Sequence, residues 1–128
     1  MTDEQIALAR RAVACKGWRW MPGMRYCSVA VAEGTASPLS FNGYQRVGED
    51  VDMVAYTDWV PCLPYLTDPA TLGCLLALVQ EAHAVPFLQV SVKISREHGY
   101  QFDCHPHHRG QWVDSEAEAL VVALEDAP

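Results

Sequence analysis

The chain reads as an α+β domain, a mainly antiparallel sheet packed with three helices in the order α-β-(ββ)-α-β-β-α. Three observations predict this. Leu72, Leu75, Leu76 and Val79 recur at the i, i+3, i+4, i+7 spacing of a buried helical stripe. Leu88, Val90, Val92 and Ile94 alternate strictly with Gln89, Ser91, Lys93 and Ser95, as in a strand with one covered face. Thr2, Asp68 and Ser115 each precede an apolar-periodic run where a helix N-cap belongs.

The first helix is expected over residues 3–16. Thr2 with Gln5 forms a capping box, and Asp3 and Glu4 suit the positive helix start. Ile6, Ala9 and Val13, with Ala12 beside them, form its apolar stripe, and Gly17 stands where a C′ residue would end it. Pro22-Gly23 signals a type II turn, because proline presets φ and glycine accepts a positive φ. Residues 25–32 then alternate loosely, with Cys27, Val29 and Val31 on one side of a strand.

Between residues 33 and 59 the pattern weakens. Asn42-Gly43 and Gly48-Glu49-Asp50 are turn signals, so a hairpin of short strands at 44–47 and 51–56 is expected. Pro61 and Pro64 mark an extended connector. Asp68 caps the next helix with Pro69 at its first position, and Pro86 stops it. This helix is expected to be the central one, with Gly73 permitting a close approach at some cost in propensity. A strand at 87–95 turns at Glu97-His98-Gly99 and returns through Tyr100, Phe102 and Cys104, which alternate with Gln101, Asp103 and His105. The last helix opens on the Ser115–Glu118 capping box and buries Ala117, Leu120, Val121 and Leu124.

With 128 residues, one domain is expected, since two would each lack a sizeable core. The net charge of −7, from 16 acidic and 9 basic residues, argues against general nucleic-acid binding and against adsorption to anionic lipid. The longest apolar run, at 72–79, is far short of a membrane span, and the first residues lack the pattern of a secretion signal. Five cysteines, odd in number and without a C-x-x-C pair, fit free thiols in a reducing cytoplasm.

One segment concentrates ligand-type side chains. Asp103-Cys104-His105-Pro106-His107-His108 carries thiol, imidazole and carboxylate donors competent for zinc. The candidate metal set is Cys104, His105, His107 and His108, with His98 expected to reach in across the hairpin. A metal-binding protein or metal-dependent hydrolase would use this loop. Against it, a second separated ligand pair is missing, and the simpler reading leaves Cys104 inside and the imidazoles solvated, with no cofactor. Cys104 and His105 are strand neighbours that face opposite ways, which argues against a nucleophilic dyad. Trp20, Met21 and Met24 flank the Pro22-Gly23 turn and are the candidate partner-binding residues, because aromatic anchors dominate binding hot spots. Trp18 is expected in the core.

Residues 17–24 (GWRWMPGM), 66–79 (LTDPATLGCLLALV) and 116–120 (EAEAL) resemble stretches of small uncharacterised phage and prophage proteins. More distantly, the chain is similar to the phage α-β-α sandwich domain family. Residues 33–56 and the histidine-rich loop depart from that likeness, so it lends the metal reading no support. The resemblance implies a compact α/β fold, a phage origin and action in a host bacterial cytoplasm. No catalytic residues carry over from it. The resulting expectation is a non-enzymatic accessory protein that binds a host protein, in its sharpest form an anti-defence inhibitor of the anti-CRISPR kind. A homodimer through a self-complementary strand edge or the Trp20 turn is the remaining expectation.

Overall fold

The computed structural model describes residues 1–35, 44–50, 52–84, 90–104 and 108–128; for Val90 and His108 it describes the backbone alone. Among the described residues, five helices and two three-stranded antiparallel sheets make an α+β fold. The elements are α1 (Asp3–Ala14), β1 (Arg25–Ser28), α2 (Val29–Ala32), β2 (Gln45–Arg46), α3 (Met53–Trp59), β3 (Cys62–Pro64), α4 (Pro69–Ala82), β4 (Val90–Ser95), β5 (Gly99–Cys104), β6 (His108–Arg109) and α5 (Glu116–Glu125). The antiparallel pairing is as expected, but it is split into two sheets, and α2 and α3 add to the three anticipated helices. Among the described residues, no helix is long and apolar enough to cross a membrane.

Helix α1 starts on the expected capping box: Thr2 Oγ1 accepts from Gln5 N–H, and Gln5 Oε1 accepts from Thr2 N–H. Ala9 and Ala12 are fully buried, with Ile6 and Val13 half-buried. The helix ends at Ala14, two residues early, because Cys15 turns to extended backbone (ψ 140°). Gly17 is therefore not a C′ residue. It is where the chain passes close to its neighbours: a Cβ there would lie 3.0 Å from Leu124 Cδ1 and 3.4 Å from Ala82 Cβ.

The strand expected over 25–32 stops at Ser28. Its hydroxyl accepts from Val31 N–H at 3.2 Å and caps α2, so the cap defeats the alternation. The hairpin expected over 44–56 is also corrected. β2 pairs back onto β1 (Arg25↔Arg46, Tyr26↔Gln45), and of the strand placed at 51–56 the residues from Met53 onward belong to helix α3, with Val51 outside the described residues. Asp52 caps α3 by accepting from Ala55 N–H, so the chain is helical from Met53. The Pro61–Pro64 connector holds β3, which pairs with β1 from Tyr26↔Pro64 to Ser28↔Cys62. β3 is an edge strand, so Pro64 costs no ladder bond.

Helices α4 and α5 carry the centre of the core. The buried face of α4 is Thr71, Leu75, Leu78 and Val79, rotated from the stripe read in the sequence, and Leu72 and Leu76 are half-buried. α5 is the more enclosed of the two. Ala117, Ala119, Leu120, Val121, Ala123 and Leu124 are all buried, and the small alanines let α1 and α4 approach it. Gly73 faces open space, with nothing within 4 Å of an added Cβ, so it permits no close approach. Gly73→Ala is accordingly expected to raise stability by about 0.5–1 kcal/mol, read as a higher urea midpoint at unchanged slope.

The β4–β5 hairpin forms as expected, and its register runs from Ser95↔Gly99 to Val90↔Cys104. Its packed side belongs mainly to β5. Phe102 and Cys104 are fully buried against the helices, Val92 is half-buried and Ile94 is 74% exposed. The continuous covered face expected along β4 is thus absent at Ile94, and Leu88 lies outside the described residues. The other side of β5 is not wet either. Gln101 and Asp103 are buried, Gln101 donating to Gly110 O and Asp103 pairing with Lys93 at 2.9 Å. β5 is the central strand, so the long side chains of its two neighbours cover its polar face.

Candidate functional site

The Pro22-Gly23 turn forms as expected: Gly23 has φ +94° and Met24 N–H donates to Met21 O at 3.2 Å. Arg46 clamps it by donating to Gly23 O and, bidentately, to Asp68 at 2.9 Å. The three candidate partner-binding residues separate here. Met24 is fully buried, its backbone bonded to Val47, and is removed from any surface role. Trp20 and Met21 are half-buried against the core. Trp18, also half-buried, meets Trp20 edge to face at 5.4 Å. The edge-to-face series continues from Trp20 to Tyr26 (5.9 Å) and from Tyr26 to Tyr56 (6.1 Å). The aromatic turn therefore does not project; it forms a wall.

That wall bounds a cleft of about 720 Å³ between α1, the tryptophan turn, α3 and β3. Trp18 and Trp20, together with Met53, Val54, Thr57 and Asp58 of α3, are among the residues that line it. Its rim is electrostatically uneven. Arg10 is paired with Glu33, and Arg19 with Glu81. Asp58 is exposed with no ionic partner among the described residues, and Asp52 uses one oxygen to cap α3. With both arginines paired, the carboxylates of Asp52 and Asp58 are the charges left at the mouth. Cys62 also lines the cleft, but burial, with a smaller contribution from Cys27, pushes its thiol up to about 11. At neutral pH it is a protonated apolar group rather than a nucleophile.

Helix α3 carries two of the most exposed large apolar side chains among the described residues: Val54 at the cleft lip is 72% exposed and Trp59, at the helix end, is 87% exposed. Neither was singled out in the sequence, because 51–56 reads as a strand. A helical signal was present: Asp52 as a cap, and Met53, Tyr56 and Val60 at i, i+3, i+7. A second cleft, of about 850 Å³, opens between the starts of α1 and α5, but none of the large exposed apolar side chains lines it.

The candidate metal residues do not assemble among the described residues. Cys104 is fully buried, and the backbone of His108 stands opposite it in the β5–β6 pairing. His105 and His107 lie outside the described residues. His98 sits in the turn at the other end of the hairpin, six residues along β5 from Cys104, or about 20 Å at strand spacing. Its ring lies 5.5 Å from Trp112 instead. The expectation that His98 reaches Cys104 is corrected on that ground. Among the described residues no three histidine, cysteine or carboxylate side chains converge on a metal position. Comparison with protein-family models, curated proteins and solved structures finds no match to this chain.

Proposed function

We propose that this chain is a non-enzymatic binding protein whose protein partner docks on the tryptophan cleft and the outer side of α3. The observation that carries this reading is the exposure of Trp59 and Val54 beside an aromatic-walled cleft. Large apolar side chains held in water next to a concave apolar surface are what a protein interface leaves open before its partner arrives. The rim selects the partner's chemistry. With Arg10 and Arg19 already paired, Asp52 and Asp58 favour a partner that presents an apolar side chain flanked by lysine or arginine. The chain's net charge of −7 acts in the same direction at longer range. In the finer form of the proposal the partner is a host protein and the chain an anti-defence inhibitor. Small size, acidity and the phage likeness of residues 17–24, 66–79 and 116–120 support that form.

The test begins with capture of partners from host lysate on the immobilised chain, followed by titration of the purified partner. Trp59→Ala is expected to weaken binding by at least about tenfold, a typical hot-spot loss. Asp58→Lys is expected to slow association and flatten its salt dependence. If both variants bind the captured partner as tightly as the parent chain, the cleft and α3 are not the docking site.

A further inference from the structure

We propose that β4 pairs antiparallel with β4 of a second copy, joining the β4-β5-β6 sheets of two chains into one six-stranded sheet. This inference is independent of the cleft reading. β4 is an edge strand: β5 pairs along one side, and among the described residues nothing pairs along the other. Edge strands are ordinarily protected by proline, a bulge, a charge across the edge, or a cover. β4 has no proline and no break in its register with β5. Its single charge, Lys93, is drawn back onto its own sheet by Asp103 at 2.9 Å. Ile94, 74% exposed in a strand whose neighbour Tyr100 is half-buried, is an apolar group with no cover.

The side-chain sequence identifies the occupant as a second copy. In a two-fold register centred on Val92, Val92 stands opposite Val92 of the second copy and Lys93 opposite its Ser91. The helix-facing side then meets apolar against apolar, with Ile94 diagonal to the second copy's Val92 and within side-chain reach. The other side meets serine against lysine; the two lysines are diagonal rather than directly opposed, and each ammonium is neutralised by Asp103 of its own chain. A register centred on Lys93 would put those charges directly opposite one another, which is unfavourable. The strand is thus self-complementary in the Val92-centred register.

The measurement is molar mass across a dilution series of the full chain, by light scattering and sedimentation. A strand edge is a small interface, so the dimer should form at about 100 µM and dissociate at low micromolar concentration. Ile94→Lys, at a position already in water, is expected to raise the dissociation constant at least about tenfold while leaving the far-UV spectrum unchanged. Val92→Cys tests the register. Opposed residues in a two-fold strand pair have Cα atoms about 4.5–5.5 Å apart, within disulfide reach, so mild oxidation should give a covalent dimer that the parent chain does not form. A parent chain that stays monomeric throughout overturns the proposal. So does a dimer that Ile94→Lys does not weaken, or one in which Val92→Cys fails to cross-link.

Discussion

Gly99→Ala will lower stability by about 3–5 kcal/mol, a large share of the total for a domain of this size. Two effects act together. Gly99 has φ +90°, a conformation that costs a residue with a Cβ about 1–2 kcal/mol. An added Cβ would also lie 2.2 Å from the carbonyl oxygen of Val113, well inside contact distance. That oxygen cannot move aside freely, since it accepts from Tyr100 N–H at 2.8 Å while Val113 N–H donates to Tyr100 O at 2.8 Å. This pair of bonds ties the β4–β5 hairpin to the segment leading into α5. Gly34→Ala is the control. Gly34 also has a positive φ (+79°), but nothing lies within 4 Å of its Cβ position. It should cost about 1 kcal/mol. Equal losses in the two variants, measured by urea unfolding, would show that the close approach to Val113 carries no weight.

Asp68→Ala is expected to cost about 1–3 kcal/mol, because it removes a helix cap and the buried carboxylate of a half-exposed ion pair. Asp68 is 6% exposed and accepts from Thr71 N–H at 3.1 Å, from Thr71 Oγ1 at 3.0 Å and from both terminal nitrogens of Arg46 at 2.9 Å. Truncation leaves the start of α4 uncapped and Arg46 without its carboxylate. Asp68→Asn keeps an acceptor for Thr71 and should lose about half as much. The pH dependence follows from the same contacts. The Arg46 guanidinium, aided by the Thr71 donors, holds the Asp68 carboxyl well below the usual carboxylate range. The unfolded chain therefore binds this proton more readily than the folded one. The stabilisation is fully present at neutral pH and is lost as pH falls below about 4 toward the depressed folded value. Thermal melts between pH 7 and 2 should show Asp68→Asn with a shallower acid-side decline than the parent chain. Parallel curves would mean that Arg46 and Asp68 do not interact in solution.

Local signals were legible in the sequence where one residue type answers one backbone requirement. Thr2, Asp68 and Ser115 all cap the helices they were read to cap, because a short oxygen-bearing side chain acts within its own turn. Pro22-Gly23 makes the turn its dihedrals demand. Residues 51–56 misled for a physical reason of the same kind: Asp52 initiates a helix within a stretch whose valines suit a strand, and the cap prevails. The candidate sites fared differently. Met24 beside a projecting turn and His98 beside a histidine loop were placed by nearness along the chain. Met24 faces inward under the Arg46 clamp, and the length of the hairpin carries His98 to the far end from Cys104.

From the chain alone one could know the α+β class, the caps, the turn, the β4–β5 pairing and the burial of α5, since periodicity and capping depend on residues within a few positions of one another. The division into two sheets, the return of β2 onto β1, the aromatic wall behind Trp20, the covering of Asp103 by Lys93 and the exposure of Trp59 and Ile94 belong to the tertiary structure. Each depends on which distant segments are brought side by side. Hydrophobicity drives apolar side chains out of water without specifying the surface that receives them.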